Sequence, residues 1–498
     1  MSLAAATEPW LLEQHLTDPR GRGRLAGAPH TGAAGGAICG DLIRVSLRVE
    51  GDRIADAGFE ASGCAAARAA GSAVVELAEG RPVLDGARIS AAAVSEEVGG
   101  LAPTHLHAAE LAADAFHRAL GLAARDGEAR LAPSATRTLV AMSGGVDSAA
   151  AAQLALDRGD EVIAVTLELW SDPANDGEKS CCSPQAVRGA RTLAQGMGLP
   201  HFTLDLRDRF RGDVVDDFLS GYAAGTTPNP CVRCNGLVRF DAMLELAERL
   251  GSPRLATGHY ARIERDPAGP VVRMAVDPQK DQSYVLARIR SDVLERIDFP
   301  LGRYAKPDVR ALARRAGLPV ADKPESQDLC FLAGTQRHEF VRRHGSERIR
   351  ALDRAGEIVD RDGHVLGSHD GHQNFTVGQR RGIRVAADQP LYVLAKDARR
   401  NRVIVGPREQ LVATSVSLGP GRLHRPAAEI DAVRLRYQGA LVGCTAGSDL
   451  SAGDHDGLVL ELDREVPTPA PGQVACLMRG EQVIGWALIT EPEMTGGN

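Results

Sequence analysis

Residues Thr138-Leu139-Val140-Ala141-Met142 run straight into Ser143-Gly144-Gly145-Val146-Asp147-Ser148, and an alanine-rich stretch continues to about Arg158. A short apolar run, a glycine pair and a helical pattern in that order predict strand, tight turn and helix. The two glycines let the backbone approach an anion closely. The helix start offers unpaired N–H groups and the positive end of its dipole, and Ser143 and Ser148 add hydroxyl donors. The string reads as a cradle for pyrophosphate. It lacks the Gly-Lys-Ser/Thr ending of a Walker loop.

Working outward, Val162–Leu169, His201–Leu206 and Arg254–Thr257 read as strands, and Pro184–Met197 and Leu237–Leu250 as helices. Strands alternating with helices predict a parallel sheet with right-handed crossovers. The expected catalytic unit spans 138–340. Before it, 1–122 forms a separate α+β unit. Its Leu42–Val49 and Ile54–Glu60 alternate as half-buried strands, and its stretches 64–79 and 106–122 are helical. A polar segment, 123–137, reads as a linker. After the catalytic unit, Gly-rich turns and short strands such as Leu391–Leu394 and Arg402–Val405 suggest a small central domain over 341–407. A β-rich barrel or sandwich follows over 408–498.

A chain of 498 residues is too long for one core. No apolar run approaches the ~20 residues of a membrane span, and the start of the chain does not read as a signal peptide. The expectation is a cytoplasmic protein with no membrane partner. Nine cysteines in such a chain read as reduced thiols that work or bind metal rather than as a disulfide framework. The net charge of −7 argues against a non-specific nucleic-acid coat but leaves room for a local basic surface.

Three cysteines stand out. Cys231 and Cys234 lie in Thr227-Pro228-Asn229-Pro230-Cys231-Val232-Arg233-Cys234-Asn235, a proline-stiffened loop entering a helix whose N-terminal dipole would favour a thiolate at Cys234. Cys330 lies in Ser326-Gln327-Asp328-Leu329-Cys330-Phe331. The adjacent pair Cys181-Cys182 is a weaker candidate. A lone Cys-x-x-Cys can be a zinc half-site, a redox pair or an accident, and no second pair at zinc spacing accompanies it.

The phosphate loop resembles the PP-loop ATP pyrophosphatases, an α/β fold of the adenine nucleotide alpha hydrolase type that adenylates a carbonyl or carboxylate oxygen. Together with the thiol strings, Lys280-Asp281-Gln282-Ser283-Tyr284 and Thr376-Val377-Gly378-Gln379-Arg380-Arg381-Gly382, the chain from about 138 to 493 resembles the tRNA-specific 2-thiouridylases. The resemblance implies ATP with Mg2+ held by Ala141, Met142, Ser143, Gly144, Gly145 and Val146, with Asp147, Ser148, Leu167 and Gly258 completing the pocket. It implies that Cys330 carries a persulfide and that Cys234 attacks it, releasing sulfur and ending in a disulfide with Cys330. It implies that Asn229, Pro230 and Cys231 line the target base, and that His259, Lys280, Asp281, Gln282, Arg436, Tyr437 and Gln473 hold tRNA. Arg434 and Arg436, alternating with apolar residues, are expected to share one basic strand face. The partners implied are a tRNA with a wobble uridine and a cysteine desulfurase or sulfur-relay protein. Many members carry Asp at position 231. The cysteine here leaves an alternative open, in which Cys231, Cys234 and Cys330 hold an iron–sulfur cluster.

Residues 15–121 resemble the U-type iron–sulfur scaffolds through Asp18-Pro19-Arg20, Cys39-Gly40-Asp41, Gly63-Cys64-Ala65 and His107. That resemblance implies Cys39, Asp41, Cys64 and His107 as ligands to zinc or a cluster. Ala108 stands where a third cysteine is expected, and His105 is a substitute. The rival readings are a PP-loop amidotransferase or synthetase, which has no need of Cys234 and Cys330, and an assembly scaffold with a vestigial PP-loop domain.

Overall fold

The computed structural model describes residues 9–35, 40–172, 183–325, 329–332, 334–350 and 353–491. In the extension, strands His30–Gly35, Leu42–Glu50 and Arg53–Ser62 form an antiparallel sheet in chain order. Ile43, Val45, Leu47 and Val49 are buried on its inner face, because period-two alternation puts every second side chain on one side. Helices Ala65–Ala78, Ala91–Glu97 and Leu106–Asp126 cover that face.

The last of these helices corrects the expected linker. It runs on through Ala123 and Ala124, both fully buried, and stops at Gly127, whose φ of +89° caps it. Nor is the extension a bead on a tether. One apolar core runs from Ile43 and Leu47 through Phe116 and Leu120 to Phe202 and Leu204 of the catalytic sheet. Helix Leu106–Asp126 lies against the edge strand His201–Asp205. Across that seam Asp114 takes Arg191 at 3.0 Å, and Arg118, one turn along the same helix and 3.2 Å from Asp114, reaches Glu168 at 3.2 Å. Burial pulls the Asp114 carboxyl up, but the two guanidiniums outweigh it and hold it below the usual carboxylate range.

The catalytic sheet is parallel, in the order Ile297–Asp298, Arg254–Thr257, Arg137–Ala141, Glu161–Glu168, His201–Asp205. The sequence-predicted helix 237–250 is the end of a longer irregular one. Pro230–Cys234 is α-helical, Asn235–Arg239 a π turn, and Phe240–Arg249 α-helical again. Hairpin Ala261–Asp266/Gly269–Met274 then leaves this domain and joins the C-terminal sheet, Arg273 opposite Gln482.

A four-stranded sheet, Val365–His369, Gly356–Val359, Arg402–Gly406 and Tyr392–Asp397, forms the central unit around Ile358, Phe375 and Val403. The C-terminal part is a closed barrel. Its circuit is Val412–Leu423, Leu458–Pro467, Val442–Ala446, Ala432–Arg434, Val474–Arg479 and Gln482–Ile489, the last pairing back onto the first. Closure removes the open edges of a small sheet. Among the described residues no helix is long and apolar enough to cross a membrane.

Candidate active site

The phosphate loop turns at the carboxyl end of the central strand, where the sheet's strand order reverses and α/β folds leave a crevice. Gly144 takes φ +71°, a conformation costly for other residues. Ser143 N–H donates to Ser148 Oγ (3.1 Å), which donates to the Gly145 carbonyl (3.0 Å), fixing the loop on its helix Val146–Asp157. Opposite, a Cβ on Gly258 would lie 2.8 Å from Asp147 C and from Ser148 N, so only glycine lets that segment close over the helix start.

The result is a cavity of about 230 Å³. Ala141, Met142, Ser143, Asp147, Ser148, Leu167 and Gly258 line it. Gly144, Gly145 and Val146 do not. Val146 is 3% exposed and packs into the apolar layer beneath the loop, and Gly145 is the helix N-cap. Their part is to shape the loop.

A second cavity, of about 640 Å³, holds Cys231, Cys234 and Cys330 in one wall. Asn229, Pro230, Tyr437 and Gln473 share it, and Gln473 Nε2 donates to Thr227 O at 2.8 Å, tying the barrel to the thiol loop. Arg239, His259 and Gln282 line both cavities. The nucleotide end and the thiol end are thus two sides of one three-residue partition. His259 is half-buried between Phe240 and Phe299 and bonds Thr257 Oγ1 at 2.8 Å. Burial, with Arg239 nearby, pushes its pKa down to about 3, so it is a neutral imidazole at pH 7. Gln282 Oε1 accepts from the Tyr260 N–H at 2.9 Å, which locks it on the partition.

Several expected residues stand elsewhere. Asp281 is 4% exposed and accepts from Ala275 N–H, Ser283 Oγ and Arg434; it organises the turn before Gln282 rather than facing substrate. Arg434 is correspondingly buried, and its strand ends there, so the expected basic face of Arg434 and Arg436 does not form. A buried carboxylate claims the first arginine, leaving Arg436 and Tyr437 exposed on the following turn. Lys280 pairs with Glu325 at 2.5 Å beside the site. Cys234 ends the five-residue helix rather than starting it, so its N–H groups lie beyond the first turn, where the dipole acts; Cys231 is the cysteine inside that turn. Asn229 is the N-cap, accepting from Val232 N–H at 3.2 Å.

The structure adds Arg239, Lys306, Lys323, Glu325 and Arg337. Lys306 Nζ reaches both Asp147 oxygens (2.7 and 2.8 Å), and Lys323 Nζ donates to Gly144 O (2.9 Å). No local motif marks these side chains; they come from segments far along the chain.

In the extension, Asp41, Cys64 and His107 gather with ligand atoms within 4.8 Å of one another. Cys64 Sγ donates to Asp41 Oδ2 at 3.1 Å, and His107 Nε2 meets the same oxygen at 3.0 Å. Burial and the Asp41 carboxylate push the Cys64 thiol up. Ala108 is fully buried in the helix core, and His105 is exposed. Cys39 and the Cys181-Cys182 pair lie outside the described residues.

Comparison with known proteins follows these same divisions. A family model described as "tRNA methyl transferase HUP domain" matches 136–334, "NifU-like N terminal domain" matches 11–124, and "tRNA methyl transferase PRC-barrel domain" matches 340–407. The chain is 44% identical over 489 residues to the "Bifunctional protein NifU/MnmA" of Rubrobacter xylanophilus, covering 96% of this chain and 97% of that one. The chain belongs to the tRNA-specific 2-thiouridylase family, in a form fused to a NifU-like domain. Against "tRNA-specific 2-thiouridylase MnmA" of Anaplasma marginale it is 42% identical over 360 residues, 71% of this chain and 90% of the relative. Against that of Geobacter metallireducens the identity is 41% over 376 residues, 72% and 98%. In this chain the phosphate loop and the three cysteines lie on either side of Arg239, His259 and Gln282.

Proposed function

We propose that this chain is an ATP-dependent tRNA-uridine 2-sulfurtransferase acting in the cytoplasm on the wobble uridine. The observation that carries the reading is the shared wall: a nucleotide-sized crevice and a three-thiol cavity separated only by Arg239, His259 and Gln282. ATP, with Mg2+ as its counter-ion, occupies the smaller cavity. The uridine, extruded from its stack, enters the larger one. Its O2 attacks the α-phosphorus, the bond to pyrophosphate breaks, and AMP becomes the leaving group at C2. Cys330 carries the persulfide. The Cys234 thiolate attacks the Cys330 sulfur, forming the Cys234–Cys330 bond and breaking the persulfide bond. Hydrosulfide is released, adds to C2 and expels AMP. A thiol reductant then restores both cysteines.

Electrostatics favour this use. Among the described residues no carboxylate lines the larger cavity, whereas Arg239 and Arg337 do; a thiolate, a persulfide and an adenylate are all anions. The direct test is nucleoside mass spectrometry of unmodified tRNA incubated with enzyme, Mg2+, ATP, cysteine and a cysteine desulfurase, whose own persulfide passes its outer sulfur to Cys330. Formation of 2-thiouridine that persists undiminished in Cys330→Ser would sink the relay and favour a synthetase-type reaction.

For the NifU-like domain, Asp41, Cys64 and His107 offer a mixed donor set that suits zinc at least as well as a cluster. A bound ion would be held by these side chains and fix the 41–64 turn. We propose that this domain receives a cysteine desulfurase or sulfur-relay protein and keeps it near the thiol cavity, raising its effective concentration there.

A further inference from the structure

We propose that Glu325 is a positioning residue: through Lys306 it ties the segment leading to Cys330 to the phosphate loop, so that nucleotide binding changes the reactivity of Cys330. The inference rests on the smaller cavity being the ATP site.

The linkage is a continuous chain of charges. Lys306 Nζ contacts Asp147 Oδ1 and Oδ2 at 2.7 and 2.8 Å and Glu325 Oε1 at 2.8 Å. The same ammonium thus donates to both Asp147 oxygens and forms an ion pair with Glu325. Glu325 Oε2 takes Lys280 Nζ at 2.5 Å, and Arg310 stands 3.9 Å from Oε1. Tyr260 Oη donates to Asp147 Oδ1 at 2.8 Å. Lys306 is 7% exposed, which a lysine sustains only with such partners. Two residues before Glu325, Lys323 donates to the Gly144 carbonyl. The segment that ends five residues before Cys330 is therefore fastened to the phosphate loop twice: at Gly144 through Lys323, and at Asp147 through Glu325 and Lys306. The far end of the chain, Lys280, stands two residues before Gln282 of the partition.

Polyphosphate arriving at Ser143–Ser148 is a strong acceptor for Lys306 and Lys323. Charges it draws away from Asp147 and Gly144 are the same charges that hold Glu325 and its neighbours. Because one ammonium serves both Asp147 and Glu325, phosphates that engage it weaken its hold on Glu325 and so on the Cys330 side. Sulfur release is thereby linked to the presence of ATP, which limits wasted persulfide when no adenylate can form.

The test uses the full chain and reads Cys330 alkylation by iodoacetamide through peptide mass spectrometry. Rates are compared with and without Mg2+ and a non-hydrolysable α,β-methylene ATP that saturates each variant. The wild type is expected to change its Cys330 rate about fivefold on adding nucleotide, the scale of a half-buried ion pair. Glu325→Gln is expected to lose that response. Glu325→Asp, which keeps the charge but shortens the reach, is expected to show a reduced one and serves if the glutamine variant does not fold. Cys444 and Cys476, buried in the barrel with thiols pushed up to about 12 by burial, are internal controls. An unresponsive wild type, or a glutamate variant that responds as the wild type does, overturns the proposal. Nucleotide that binds no form of the enzyme, measured by calorimetry, overturns the ATP-site assignment itself and so separates the two failures.

Discussion

Cys64 and Cys231 both sit at helix starts, and the two regions put their thiols in opposite fields. Cys64 is the N-cap of Ala65–Ala78, accepting from Ala67 N–H, yet Asp41 lies 3.1 Å from its sulfur and burial adds to the penalty on the thiolate. The larger catalytic cavity contains two guanidiniums and, among the described residues, no carboxylate. Helix position alone does not make a thiol reactive. The charge that the tertiary fold brings against it decides, since a dipole contribution of a fraction of a kcal/mol at the helix end is easily outweighed by a carboxylate in contact. The first region suits a held ion or a docked partner. The second suits sulfur anions.

The strongest way to break this contrast is to remove the thiols on each side. Cys234→Ser and Cys330→Ser are each expected to lower 2-thiouridine formation by about 10³-fold, with the double variant no worse, because residues acting as one unit share one loss. Cys64→Ser, assayed like the other two with cysteine and an excess of a cysteine desulfurase as the sulfur source, should fall far less. An equal loss from Cys64→Ser would place the reactive thiol in the extension.

The two regions are also joined by a buried seam, and Asp114→Asn probes it. Leaving Arg191 without its anion is expected to cost about 3 kcal/mol or more, read as a lower melting temperature of the whole chain in one transition. A separate early transition confined to 9–126 would mean that the extension folds and melts by itself. Truncation is the blunter experiment, because removing helix Leu106–Asp126 uncovers Phe202 and Leu204.

The same seam sets a pH dependence. His117 is fully buried, bonded to the Ile89 carbonyl at 2.7 Å, and pushed down to about 3 by burial with Arg191 adding to it. A histidine whose folded pKa lies below its unfolded value of ~6.5 contributes no penalty above that pH. Below it, the unfolded state binds the proton first, so stability falls as pH drops towards about 3. The expected slope is about 1.4 kcal/mol per pH unit for this group. His117→Gln, measured by denaturant unfolding at pH 7.5, 6 and 5, should flatten the curve; an unchanged slope would assign it to other groups.

The smallest effect is a rate difference. At pH 7.5 Cys64 should alkylate more slowly than an unperturbed thiol, since burial and Asp41 raise its pKa and the thiolate fraction falls. Faster labelling at Cys64 than at Cys330 would reverse the contrast drawn above.

What the sequence determined by itself was whatever depends on neighbours along the chain. The string from Thr138 to Ser148 specifies strand, turn and helix, and alternation places Leu42–Val49 as a half-buried strand, which the structure extends to Glu50. The thiol strings marked Cys231, Cys234 and Cys330, which the fold brings to one cavity wall. Charges were legible only as residues, not as partners. Arg434 looked like one of a basic row and is instead the buried mate of Asp281, 153 positions away. Lys306 and Glu325 carried no motif and stand against Asp147 because the helix Lys306–Arg315 packs on Val146–Asp157. The linker over 123–137 was read from polar composition, while Ala123 and Ala124 are core because a second domain covers them. Local propensity and periodicity act over a few residues and are written in order. Ion pairing and burial act through space, so they were decided only when the chain closed on itself.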